Sequence, residues 1–125
     1  MSTAAAPHPP LIQLVCLCAA WCGVCREFQS AFTALAAAHP GARLHWVDVE
    51  DPSDWVDELE VENFPTLLLG VDGIPVFYGT TLPHASVAER LIERAADTAP
   101  LRGAEPGALA AMQGLLQALA PDTPA

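Results

Sequence analysis

Lysine is absent from this 125-residue chain, and five arginines stand against fifteen carboxylates for a formal net charge of −10. Such a surface offers neither phosphate neutralisation nor polybasic attraction, which argues against nucleic acid and anionic membranes as partners. A basic protein partner remains compatible with it. No apolar stretch reaches the roughly 20 residues that a membrane-spanning helix needs. Cysteine is missing everywhere outside residues 16–25, where all four fall together. A cluster this tight staples no distant segments, so the chain is not a secreted disulfide scaffold and must draw its stability from a core. The apolar run at residues 11–20 lacks a basic leader and continues directly into the thiol cluster, so cleavage after it would destroy that cluster. The expectation is a cytoplasmic protein. The length suits a single domain with one substantial core.

The thiol cluster is the informative part. Cys22 and Cys25 stand three residues apart where an apolar run gives way to a helical pattern, a spacing that suits an intramolecular disulfide able to open and close. At a helix N-terminus the unpaired amides and the positive end of the macrodipole favour thiolate over thiol, which makes Cys22 the candidate nucleophile. Cys25, one turn inside, can attack a mixed disulfide on Cys22 and release the substrate as a thiol. A lone C-x-x-C is only moderately specific, because half of a zinc site looks the same.

The rest of the chain supplies context. Residues 1–10 are rich in alanine and proline and are expected to form a disordered lead. Residues 11–18 read as a buried strand of a sheet covered on both faces. A helix is predicted over residues 22–38, with Phe28, Phe32 and Leu35 as its core stripe, stopped by His39-Pro40-Gly41. Residues 43–49 form a second strand. Asp51 and Pro52 suit the cap and first position of a short helix that buries Trp55, Val56 and Leu59. Residues 64–69 and 75–78 pair around an Asp72-Gly73 turn, with Pro75 marking a strand end or edge. Ser86-Val87-Ala88-Glu89 has the form of a capping box opening a helix to about residue 96.

Trp21-Cys22-Gly23-Val24-Cys25 and the later Phe64-Pro65-Thr66 together resemble the active site and cis-proline loop of the thioredoxin-like superfamily, with the Asp72-Gly73 turn and Gly79 following in order. The resemblance covers about residues 11–97. It implies an α/β fold with a mixed central sheet flanked by helices in the order β-α-β-α-β-β-α, here with an added C-terminal helix. The additional N-terminal strand and helix of thioredoxins proper have no counterpart in this sequence. It further implies that the Phe64-Pro65 bond is cis, that Phe64 and Pro65 set an extended substrate segment against the Cys-x-x-Cys turn, and that Trp21, Gly23 and Val24 border it. Trp21 also has a plain packing role over the helix start, and Pro65 the plain reading of a trans proline that starts an edge strand.

Cys16 and Cys18 depart from the family pattern. Cys16 stands where the family keeps a buried aspartate that assists the second cysteine, and Trp46 aligns with its lysine neighbour. A buried thiol is a poor base, so fast general reductase activity is less expected than disulfide exchange itself. Four thiols could ligate zinc, but closing Cys16, Cys18, Cys22 and Cys25 around one tetrahedral ion would distort the strand-to-helix junction, and no metal is expected. Cys18, and less firmly Cys16, read as small core hydrophobes.

Eight of the fifteen carboxylates lie in residues 48–62, the pattern of a solvated helix face. None of the four histidines receives a catalytic role. Beyond residue 98, Ala108, Met112, Leu115 and Leu119 share one face of a helix, expected to pack on the domain edge, with dimerisation as the minor use of that stripe. The expected function is a cytoplasmic thiol:disulfide oxidoreductase in cell redox homeostasis, with no cofactor. Its expected partners are protein disulfides and an upstream reductant such as a thioredoxin reductase, and it is expected to act as a monomer. The other reading is a binding or chaperone-like accessory module with secondary thiol chemistry.

Overall fold

The computed structural model describes residues 10–19, 21–50, 56, 59, 61 and 64–119. Four strands, β1 (Ile12–Cys18), β2 (Ala42–Asp48), β3 (Thr66–Val71) and β4 (Ile74–Thr80), form one sheet in the order β2-β1-β3-β4. β1 pairs with β2 in parallel and with β3 antiparallel, and β3 and β4 form an antiparallel hairpin. The helices are α1 (Gly23–Ala38), α2 (Ala85–Arg94) and α3 (Pro106–Leu119), with a short 3-10 turn at Ala95–Asp97. The predicted helix after β2 falls mostly outside the described residues, as do Asp51, Pro52 and Trp55; Val56 and Leu59 are helical and buried.

Alternation along β1 organises the molecule, since successive side chains of a strand point to opposite faces. Leu14, Cys16 and Cys18 pack with Cys25, Phe28, Phe32 and Leu35 of α1 and with Ala88 and Ile92 of α2. Val15 and Leu17 face the other way, against Val56, Leu59 and α3. The strand is therefore covered on both sides, as its unbroken apolar run requires. Gln13, fully buried, donates from Nε2 to the Leu116 carbonyl at 2.9 Å and so ties α3 to the central strand.

The Asp72-Gly73 turn has both residues at positive φ, 53° and 82°, the conformation that joins two-residue hairpins without splaying the strands. β4 is an edge strand, and Pro75 sits beside its register shift opposite Gly70, the setting in which a strand accepts a residue without an N–H. Two expectations need correction. α2 begins after His84, whose carbonyl accepts from Val87 and Ala88, so Ser86 lies inside the first turn and caps nothing. The Glu89 carboxylate, expected to close a capping box, instead meets His39 Nε2 at 3.0 Å and joins the end of α1 to α2. α3 lies across a sheet face rather than at its edge, burying Ala111, Met112, Leu115 and Leu116. The stripe that a dimer would use is taken up by this chain's own sheet.

Candidate redox-active site

All four sulfurs gather where β1 ends and α1 begins. Cys22 is the N-cap residue of α1, with extended backbone (φ −82°, ψ 119°), and its carbonyl accepts the first helical bond from Arg26 at 3.1 Å. Its N–H donates to the Ala19 carbonyl at 3.0 Å, which closes the turn carrying Trp21. The Cys22 side chain makes no capping bond, and no acidic residue stands in the first turn of α1. The positive end of the helix is thus left to the sulfur. Cys22 is a free thiol, partly exposed.

Cys25 lies on the inner side of α1 and is 1% exposed. Its sulfur is bonded to Cys18, not to Cys22, across a Cα–Cα separation of 5.9 Å. Cys18 is therefore disulfide-bonded, and the expectation that it serves only as a small core hydrophobe is corrected. The reason lies in the strand: Cys18 is the last residue of β1 on the face that receives α1, and Cys25 is the inward residue of that helix's first turn. The signal was present in the sequence. Cys16 and Cys18, two residues apart on a strand, share one face, and that face receives the helix that follows.

Cys16 Sγ donates to Cys18 Sγ at 3.7 Å. Burial pushes the Cys16 thiol up to about 12, because an apolar interior disfavours the anion. Cys16 therefore stays protonated at neutral pH and supplies no base for Cys25. Trp46, opposite Cys16 in the β1–β2 register, closes an aromatic cluster with Phe28 and Phe32 at ring-centroid distances of 6.4 and 5.5 Å. Neither position that the family gives to an assisting polar pair carries charge here.

The rim is apolar. Trp21 is 64% exposed and stands edge-on to Phe64, ring centroids 5.7 Å apart at 85°, a favoured aromatic geometry. Val24 is exposed beside it, and a side chain at Gly23 would meet nothing within 4 Å. The Phe64-Pro65 bond is cis, Pro65 is buried, and its carbonyl accepts from Thr81 at 3.1 Å. The structure thus brings together Trp21 and Phe64 at one rim and Cys16, Cys18 and Cys25 beneath it. Of the histidines outside the site, His45 is held below its ordinary value, first by burial and then by the charge of Arg43.

A mixed sheet with helices on both faces, a Cys-x-x-Cys at the head of its first helix and a cis-proline before the third strand define the thioredoxin-like fold. Comparison with known proteins agrees. The family model described as Thioredoxin matches residues 8–92, and the chain belongs to the thioredoxin family. Mitochondrial thioredoxin-3 of Saccharomyces cerevisiae is 42% identical over 55 residues, covering 44% of this chain and 43% of that protein. A thioredoxin of Staphylococcus aureus is 36% identical over 66 residues, covering 52% of this chain and 64% of that one. The solved structure of the oxidised yeast mitochondrial thioredoxin 3 superposes with a TM-score of 0.59 at 30% identity, covering 66% of this chain and 76% of that one. The matches thus span about half the length of the curated relatives, 43% to 64%.

Proposed function

We propose that this protein is a thiol:disulfide oxidoreductase that reduces protein disulfides, with Cys22 as nucleophile and Cys25 as resolving thiol. The observation that carries the proposal is the placement of a free, partly exposed Cys22 at the N-terminus of α1, one turn from a buried Cys25 that is already part of a disulfide. In the reduced protein Cys22 attacks a substrate disulfide, and the mixed disulfide so formed is broken by Cys25, which releases the substrate as a dithiol. Trp21, Gly23, Val24, Phe64 and Pro65 form the contact surface. The two exposed apolar side chains there suit an unfolded or extended protein segment better than a small polar disulfide.

An upstream thiol reductant, such as a thioredoxin reductase, would restore the dithiol, and the chain would act as a monomer without a bound cofactor. Membership of the thioredoxin family supports each of these. The location we assign is the cytoplasm. The apolar run that begins at Leu11 carries the central strand of the fold, and no helix among the described residues is long and apolar enough to cross a membrane. The testing experiment is insulin reduction coupled to a thioredoxin reductase. Wild-type protein turns over, and Cys22→Ser does not; equal turnover by the two would refute the assignment.

A further inference from the structure

Three of the four sulfurs near the head of α1 compete for one bond. Cys25 has Cys18 on the strand beneath it, to which it is joined, and Cys22 one helical turn away. Residues three apart on a helix have Cβ atoms about 5–6 Å apart, within reach of a disulfide after small adjustment. Burial separates the two partners sharply: Cys18 is 0% and Cys25 1% exposed, whereas Cys22 reaches the surface. A bridge between Cys18 and Cys25 is therefore closed to any external thiol, because thiol–disulfide exchange requires access to a sulfur.

We propose that Cys18 is a third redox-active cysteine, which takes the disulfide over from Cys22 and stores it in the core as the Cys18–Cys25 bridge while Cys22 returns to the surface as a free thiol. The proposal rests on the exchange activity assigned above to Cys22 and Cys25. After a substrate has been reduced, the Cys22–Cys25 bond remains. Cys18 then attacks Cys25 Sγ, the Cys18–Cys25 bond forms, the Cys22–Cys25 bond breaks, and Cys22 leaves as a thiolate. The proton that Cys18 gives up ends on Cys22, and no electron enters or leaves the protein in this step.

Cys16 supports the arrangement. Its S–H, 3.7 Å from Cys18 Sγ, can hydrogen-bond to the Cys18 thiolate whenever the bridge opens, which lowers the cost of that anion in the apolar interior. Two consequences follow. Released substrate thiols find no exposed disulfide to attack, so reversal of the reduction is limited to the rate at which Cys22 reopens the bridge. Regeneration must run backwards through Cys22, since that is the one thiol of the cluster in touch with both solvent and Cys25.

The test compares wild-type protein with Cys22→Ser, a conservative change at a partly exposed position. Both are oxidised with diamide, exposed to glutathione while folded, quenched in acid, and labelled with iodoacetamide under denaturing conditions. In Cys22→Ser, oxidation lowers the labelled thiols from three to one, because Cys18 and Cys25 still pair. Glutathione then reopens that bridge on the order of a hundredfold more slowly than in the wild type, because access runs through Cys22. In guanidinium the two proteins are reduced at the same rate. Retention of three labelled thiols in oxidised Cys22→Ser would overturn the proposal, and so would reduction of its folded bridge at the wild-type rate. Cys18→Ala supplies the complementary readout: its oxidised form protects Cys22 from label, where the oxidised wild type leaves Cys22 labelled. Loss of Cys22-dependent insulin reduction would bear on the proposed function alone, because formation and protection of the bridge are read without a substrate.

Discussion

The two faces of the sheet are built from the same strands and differ in almost everything else. The face under α1 and α2 carries Cys16, Cys18, Cys25, Phe28 and Phe32, with Trp46 packed against them. The face under α3 carries Val15, Leu17, Leu68, Met112, Leu115 and Leu116, with Gln13 as its buried polar tie. All four cysteines of the chain and the rings of Phe28, Phe32 and Trp46 gather on one side, whereas aliphatic chains fill the other, with Tyr78 partly buried against them. Chemistry and ballast are thus separated by the thickness of one strand. The alternation of β1 does the separating, since each step along Val15, Cys16, Leu17 and Cys18 changes the face that is served.

If the division is real, a change on one face should leave the function of the other intact. The largest effect expected is on the sulfur face: Cys22→Ser lowers protein-disulfide exchange on the order of a thousandfold or more, as loss of a catalytic nucleophile does, with thermal stability unchanged. Cys25→Ser instead accumulates a mixed disulfide with substrate, visible on a non-reducing gel. Equal trapping by both variants would refute the assignment of nucleophile and resolving thiol.

On the aliphatic face, Leu116→Ala removes a side chain that is fully buried. It should cost about 2–5 kcal/mol by denaturant unfolding while the exchange rate per folded molecule stays at the wild-type value. A fall in both would show that the faces are coupled.

Alkaline titration separates them again. The Cys16 thiol is pushed up to about 12 in the fold, against roughly 8.5 in an unfolded chain. The unfolded state therefore loses its proton first. Stability is unaffected below the unfolded value, falls as the pH rises above it, and stops falling once the folded value is passed; the total is at most a few kcal/mol at about 1.4 kcal/mol per unit. Cys16→Val should flatten that decline between about pH 9 and 11 relative to the wild type. An unchanged slope would assign the decline to other groups.

A smaller effect tests the fit of α3. A methyl group at Gly70 would lie 2.5 Å from Leu116 Cδ1, so Gly70→Ala should cost about 1–3 kcal/mol by overpacking and be relieved in the double variant with Leu116→Val. Additive losses in the double variant would place the cost elsewhere. The smallest effect belongs to the partly exposed His39–Glu89 contact: Glu89→Gln should change stability by no more than about 1 kcal/mol.

Most of the fold was legible because it is written in periodicity. The apolar run of β1 announced a strand covered on both faces, Phe28, Phe32 and Leu35 announced the inner stripe of α1, and Asp72-Gly73 announced a turn whose positive φ values few other residue pairs accept. The capping box at Ser86 misled because its two halves found other uses: the chain enters α2 through the backbone of His84, and Glu89 is taken by His39, fifty residues away in sequence. Long-range partners of that kind leave no local trace. The placement of α3 on a face, not an edge, was likewise set by distant residues, chiefly Gly70 and Gln13. At the site, Cys22 and Cys25 were visible from spacing. The pairing of Cys25 with Cys18 was legible only as a shared face, because the bond itself depends on the depth at which the helix sits over the strand.

Order of emergence gives the sheet's arrangement a further meaning. β1 lies at the centre of the sheet yet precedes both of its neighbours along the chain, so during synthesis at roughly 5–20 residues per second it waits several seconds for β3 to leave the ribosome. All four thiols are outside by then, on a segment that has only α1 and β2 to pack against. Which two of them pair cannot be settled while the chain is nascent, and the reducing milieu proposed for this protein would keep them open in the meantime. The pairing of Cys18 with Cys25 is the one the finished sheet favours, since it sets the inner face of α1 over the end of β1.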